Sequence, residues 1–377
     1  MNGAHDRLPQ TRTASRKEDH IEINLHRQVQ AREVRTGFEQ VQFLHSALPE
    51  LDFTAVSVET SFLGHQLGAP LLISGMTGGI ERGWEITRTL ASVAQSLGLA
   101  MGVGSQRTAL ENGERARFFQ VRDIAPDVLL FSNLGAVQLN YGYGVDECRR
   151  AVEMIGADAL VLHLNPLQEA LQPEGNRNFS NLLNQIEAIC RWLDRPVIVK
   201  EVGCGLSTDV ARRLANAGVT ALDVGGTGGT SWSAVEHHRA DTDLGQRMSE
   251  TFVDWGIPTL VSLEMTQSGA PGVPIVASGG MRTGLDAAKA IALGASMAGF
   301  AAPMLSAAVA GEETAYATAN ALVEELRLAM FCSGAGTIDE LQRVPLMTAD
   351  WQPKCRVTDR IGFYDGKVVA HDLQQSL

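Results

Sequence analysis

Eight short apolar runs alternate with helical stretches along a chain of 377 residues, and each run ends in glycine or polar residues. Together these features predict an α/β fold, a (β/α)8 TIM barrel. The chain exceeds the roughly 250 residues typical of such a barrel, so one barrel with additions fits better than several small domains. The runs begin with PLLIS from Pro70, LAMGV from Leu99, VLLFSN from Val128 and ALVLHLN from Ala159. PVIVKEV from Pro196, ALDVGG from Ala221, PIVASGG from Pro274 and MAGFA from Met297 complete the set. Between them, Leu182, Ile186, Ile189 and Leu193 fall on one helical face. Ser207 and Gly218 are placed as N-cap and stop of the next helix, and Thr283 and Gly294 bracket another. The number of units favours a closed barrel over an open doubly wound sheet.

Three segments fall outside this rhythm. Residues 1–15 are polar and read as a mobile leader, leaving 16–352 for the barrel. The polar stretch 231–257, SWSAVEHHRADTDLGQRMSETFVDWGI, far exceeds the usual few residues of a βα connection. It reads either as a lid over the barrel mouth or as a surface insertion without a catalytic role. The tail 353–377 contains RVTDRIGFYDGKVV, a short hairpin by pattern and a candidate contact with a neighbouring subunit.

Hydrophobic residues make up 45% of the chain, and its net charge of −12 leaves no basic face for a nucleic acid or an anionic membrane. An anionic ligand must therefore be caught by a local pocket. There is no apolar run of about 18 residues, and the start lacks the apolar core of a secretory signal, so a cytoplasmic location is expected. Cys148, Cys190, Cys204, Cys332 and Cys355 lack the close pairing of zinc or redox motifs and read as reduced thiols. Cys204 alone lies near a strand end, where inert packing is its plainer role.

Barrel enzymes place their chemistry at the carboxyl ends of the strands. The glycines of Gly225 to Thr230 and Gly279 to Arg282 would offer bare N–H groups to a phosphate, and so to a cofactor such as FMN. Tight turns chosen for backbone geometry are the alternative. Lys200, ending the PVIVK run, points to the barrel axis or mouth. There it could face a flavin ring, form a Schiff base, or pair with Glu201 or another acid. Arg16, Lys17 and His20, with Arg107 from strand two, would form a diphosphate clamp if the leader folds over the barrel; singly, each reads as a surface charge. Glu169 follows a proline that turns the chain out of strand four. It is expected as an exposed carboxylate suited to Mg²⁺, or simply as a helix-start charge.

A series of motifs makes these features specific. RKEDH at Arg16, SGMTGG at Ser74, GVGSQR at Gly102, SNLGA at Ser132 and HLNPLQE at His163 occur in order. PEGNRNF at Pro173, KEVGCG at Lys200, GGTGGTSW at Gly225 and ASGGMRTG at Ala277 follow. With these motifs the sequence resembles the type 2, FMN-dependent isopentenyl-diphosphate isomerases from Arg16 to about Gln342. The resemblance implies interconversion of isopentenyl and dimethylallyl diphosphate by acid–base chemistry of reduced FMN with Mg²⁺, with NADPH as the reductant that primes FMN. It further implies a homo-oligomer, tetramer or octamer.

Residue by residue, the resemblance implies that Arg16, Lys17 and His20, with Ser105, Gln106 and Arg107, bind the substrate. Gln168 would touch the substrate, with His163 and Asn165 beside it as catalytic candidates, and Glu169 would hold magnesium. For FMN it implies Gly75, Met76, Thr77, Ser105, Asn133, Lys200, Gly225, Thr230, Gly280, Met281, Arg282, Ala301 and Ala302. Gly225 is a departure, standing where many family members have serine, so a side-chain hydrogen bond would be missing there. A rival reading is an FMN-dependent 2-hydroxy-acid oxidase on a related barrel. Such enzymes use a histidine base after strands six and seven, whereas GGTGGTSW carries none and His237 and His238 come later. A non-catalytic flavin- or phosphate-binding regulator is the remaining alternative.

Overall fold

The structure, a computed structural model, describes residues 12–352, 354, 361–364 and 367–370, with side chains from 16 to 352 and at 354. Each of the eight apolar runs supplies one strand of a closed parallel barrel. These are β1 (Leu71–Ile73), β2 (Ala100–Gly102), β3 (Leu130–Gly135), β4 (Ala159–Leu164), β5 (Val197–Glu201), β6 (Ala221–Asp223), β7 (Ile275–Ser278) and β8 (Met297–Phe300). The ring closes where Ala298, Gly299 and Phe300 of β8 pair with Leu71, Leu72 and Ile73 of β1.

Alternation along the strands builds two apolar layers. Leu71, Ile73, Leu160, Leu162, Val197 and Val199 join the core shared with the helices, whereas Leu72, Val161 and Ile198 pack with the small Ala100, Ala159 and Ala221 in a separate inner cluster. A hairpin of Thr60–Phe62 and His65–Leu67, absent from the sequence reading, adds Phe62 and Leu67 to that inner cluster. The Phe62 ring lies 6.4 Å from that of Phe131. Burying two such side chains stabilises the closed end by roughly 1.5–3 kcal/mol each.

The expected helix signals act where they were placed. Leu182, Ile186 and Ile189 are the buried face of the helix Leu182–Trp192, which ends at Leu193. Ser207 accepts the Val210 N–H at the start of Thr208–Asn216, and Thr283 forms a capping box with Asp286.

Helix α1 (Arg12–His26) and the start of the long excursion gather over the mouth. This helix includes the last residues assigned to the leader; the rest of the leader, 1–11, lies outside the described residues. The long excursion folds into two helices, Trp232–His237 and Asp243–Thr251. Its Ala234, Val235 and Val253 cluster with Val29, and Trp232 packs edge-on against His20 of α1 at 5.0 Å. In the tail, Ile361–Tyr364 and Lys367–Ala370 pair antiparallel as a hairpin, while Cys355 lies outside the described residues. Among the described residues no helix is long and apolar enough to cross a membrane.

Candidate active site

Two cavities lie side by side at the carboxyl ends of the strands and share a wall that includes Lys17, His20, Gly75, Met76, Lys200 and Trp232. The first is lined by the ends of β1, β6, β7 and β8: Thr77, Gly225, Thr230, Gly280, Met281, Arg282, Ala301 and Ala302 all contribute. Its chemistry is that of an anion cradle. The helix Ala302–Ala310 opens toward it, and the amides of Gly280, Met281 and Ala302 have no acceptor among the described residues. Arg282 holds its place by donating to the Met281 carbonyl at 3.2 Å. Burial pushes its guanidinium below the usual arginine range, partly offset by the charge of Asp286. The hydroxyls of Ser74 and Thr77 are buried here without a hydrogen-bond partner among the described residues.

Backbone geometry fixes this cradle. Gly280 has φ +73° and packs so closely on Gly228 that a Cβ would sit 2.6 Å from its carbonyl. Gly225, the departure noted in the sequence, has φ +47°, and a Cβ there would lie 2.1 Å from the Glu201 carbonyl oxygen. This backbone therefore takes glycine and has no room for serine.

The second cavity is polar. Arg16, Lys17 and His20 of α1 meet Ser105 and Arg107 after β2, Asn133 of β3, and His163, Asn165, Gln168 and Glu169 of β4 and the short helix Pro166–Leu171. Lys17 donates to the carbonyls of Gly78 at 2.6 Å and Ser105 at 2.8 Å. Burial first, then the charges of Arg16 and Arg115, push its amine down to about 7. Arg16 donates to Gln172 at 3.2 Å, and Arg107 bridges Glu111 and Asn176. Asn165 donates to Gln168 Oε1 at 2.9 Å and to Glu169 Oε1 at 3.1 Å, while Glu169 Oε2 accepts the Asn176 N–H at 2.5 Å.

His163 donates from Nδ1 to Asn133 Oδ1 at 2.8 Å. Burial, then Lys200, Arg16 and Lys17, push its imidazole down to about 3, so it is a neutral hydrogen-bonding group rather than a base at neutral pH. Lys200 lies between the two cavities, donating to the Glu201 carbonyl at 2.5 Å with its Nζ 4.0 Å from Asp223 Oδ2.

Residues 155–348 match the family described as FMN-dependent dehydrogenase. The isopentenyl-diphosphate delta-isomerase of Nostoc sp. is 51% identical over 330 residues, covering 88% of this chain and 94% of that one. The isopentenyl-diphosphate delta-isomerase of Synechocystis sp. is 50% identical, covering 89% of this chain and 96% of its own. The chain belongs to the isopentenyl-diphosphate delta-isomerase family. Solved structures share the fold at much lower identity. A mandelate oxidase matches with TM-score 0.58 and 22% identity over 88% of this chain and 91% of its own. A lactate oxidase of Pediococcus acidilactici matches with TM-score 0.62 and 17% identity over 90% of this chain and 95% of its own.

For this isomerase-family chain, several sequence expectations need correction. Glu169 is buried, not exposed, because two donors and the helix start enclose its carboxylate. Gln106 is fully buried and lines neither cavity; its amide donates to the Ala151 carbonyl and accepts the Asn133 N–H, so it braces β3. Of the acids open to Lys200 in the sequence reading, Glu201 or another, the ion-pair contact is the other one, Asp223, while Glu201 turns its carboxylate into the N–H groups of Val202, Gly203 and Cys204. Burial pushes the Cys204 thiol up, far from a reactive thiolate.

His237 and His238 line a different cavity, beside His26 and Arg32. Sequence reasoning missed Trp232, Gln138 and Gln172, which line the site, and Glu236, whose carboxylate accepts from His20, Gln172 and Arg239. Trp232 and Glu236 lie four residues apart at the start of the excursion. That helical spacing on an otherwise polar insertion was the available signal.

Proposed function

We propose that this chain interconverts isopentenyl diphosphate and dimethylallyl diphosphate, with FMN in the first cavity and the diphosphate with Mg²⁺ in the second. The observation that carries this reading is the shared wall: a phosphate cradle suited to FMN opens directly onto a pocket of cations around one carboxylate. The hydroxyls of Ser74 and Thr77 and the amides of Gly280 and Met281, without partners among the described residues, fit a phosphorylated, heteroatom-rich cofactor. Reduced FMN, when bound, supplies a proton donor at N5 beside the alkene.

The side chains do the rest. Arg16, Lys17 and Arg107 neutralise the diphosphate. Glu169 would hold Mg²⁺ by a single carboxylate, which suits an ion that takes its other ligands from phosphate and water. Gln168, its Oε1 fixed by Asn165, turns its free amide group to the substrate, and the neutral His163 orients the same face. Trp232 and α1 cover the mouth and exclude water, which gives the excursion the role of a lid. NADPH would prime the flavin, and the chain would act as a homo-oligomer in the cytoplasm.

Because the two diphosphates are isomers, electrons on FMN are not delivered to product. Under anaerobic conditions many product molecules are expected per NADPH consumed, with the flavin still reduced at the end. Measuring NADPH loss alongside dimethylallyl diphosphate decides this, and one NADPH per turnover would favour an oxidoreductase.

The depressed Lys17 amine also gives a pH signature. In the free enzyme it is charged below pH 7 and largely neutral above it, and a bound diphosphate favours the charged form. The substrate KM is therefore expected to rise by about tenfold per unit of pH above 7. Lys17→Arg, always charged, should flatten that slope. A wild-type KM independent of pH between 6 and 9 would remove Lys17 from the diphosphate site.

A further inference from the structure

His163, Lys200 and Asp223 are register partners across β4, β5 and β6. Partners in adjacent strands of one sheet face the same way, so these side chains form one row across the barrel mouth. Asn133 extends the row through His163, and Ser278 of β7 extends it at the other end, its hydroxyl donating to Asp223 Oδ1 at 2.5 Å. Asp223 Oδ1 also accepts the Gly225 N–H at 3.2 Å. The Asp223 side chain is only 3% exposed, and no cavity of the site is lined by it.

Lys200 shares the polar cavity with Arg107 and the Glu169 carboxylate, and the first cavity with Arg282. His163 on β4 is neutral, and the Glu201 carboxylate is spent on its own loop through three backbone N–H groups. Arg16 and Lys17 of α1 line the same cavity and repel a further cation. Among the described residues Asp223 is the carboxylate within ion-pair distance of Lys200. An ammonium enclosed among like charges is costly unless an acid offsets it.

We propose that Asp223, held in place by Ser278, is the positioning residue that holds the Lys200 amine directed at the flavin, and so sets how readily the flavin is reduced. The inference rests on the flavin reading of the first cavity. Asp223 acts through Lys200 and touches neither ligand.

The test is the midpoint potential of bound flavin in the holoenzyme, measured for wild type, Lys200→Met, Asp223→Asn, Asp223→Glu and Ser278→Ala. A cation beside the ring stabilises anionic reduced flavin, so Lys200→Met lowers the potential. Asp223→Asn keeps the shape and an acceptor for Ser278 but removes the charge. It is expected to lower the potential at least half as far as Lys200→Met, with Ser278→Ala shifting it less in the same direction and Asp223→Glu restoring it. For Asp223→Asn, kcat should fall by at least about tenfold while KM changes by less than about twofold, because the loss is on the flavin side.

An unshifted or raised potential in Asp223→Asn, with Lys200→Met lowered, overturns the proposal and leaves the flavin reading standing. If Lys200→Met itself keeps the wild-type potential, the flavin role of Lys200 fails and the proposal with it. Should Asp223→Asn not load flavin, Ser278→Ala carries the test, and an unshifted potential there overturns the proposal.

Discussion

Glu169→Gln is expected to load flavin as the wild type does and to lose at least about a hundredfold in Mg²⁺-dependent kcat/KM, roughly 2.7 kcal/mol at the transition state. Two effects add. A neutral amide is a poor ligand for a hard dication that relies on one or two carboxylates. The amide also meets donors on both sides, Asn165 Nδ2 and the Asn176 N–H, so whichever way it turns, its NH2 faces another donor. Glu169→Asp keeps the charge on a shorter stem and should recover part of the activity at raised Mg²⁺. Titrating activity with MgCl2 checks both variants, with the flavin spectrum as the control for folding. A wild-type magnesium curve in Glu169→Gln would remove Glu169 from the metal site.

The barrel was legible because each strand is buried on both faces and so reads as a continuous apolar run, from PLLIS to MAGFA. The helix caps at Ser207 and Thr283 were legible because capping is local chemistry, settled within a few residues. What escaped is long-range. Asp223 sits in the middle of ALDVGG and reads as a strand residue; only the register β5–β6 places it beside Lys200. Glu169 looked exposed because nothing nearby in sequence shows that the backbone at Asn176 returns to bind its carboxylate. Gln106, by contrast, sits inside a motif with site residues on either side, yet its side chain turns between β3 and the helix Val145–Ile155. A motif fixes the backbone path, and the fold around that path decides which members face the ligand.

The same distinction governs the last and largest expected effect, on the charges of α1. Arg16 and Lys17 reach the polar cavity only because α1 lies across the mouth, and α1 is anchored there by contacts independent of both: Ile21 is buried in the main core, and His20 pairs with Glu236 and packs on Trp232. Removing the two cations should therefore leave the helix in place. In the double variant Arg16→Ala, Lys17→Met, the flavin should load normally while the substrate KM rises by about 10² to 10⁴. Hydrogen bonds to charged groups are worth roughly 1.5–3 kcal/mol each, and two are lost together. Neither loss can be screened away, since both groups are enclosed, so added salt should narrow the gap between wild type and variant only slightly. Lys17→Arg with Arg16 intact should keep KM near the wild-type value below pH 7, where the native lysine is charged as well. Steady-state KM for isopentenyl diphosphate, with flavin content measured on the same samples, decides the matter. An unaltered KM in the double variant would mean that α1 is a structural cover and that the diphosphate is held elsewhere, with Arg107 the first residue to test.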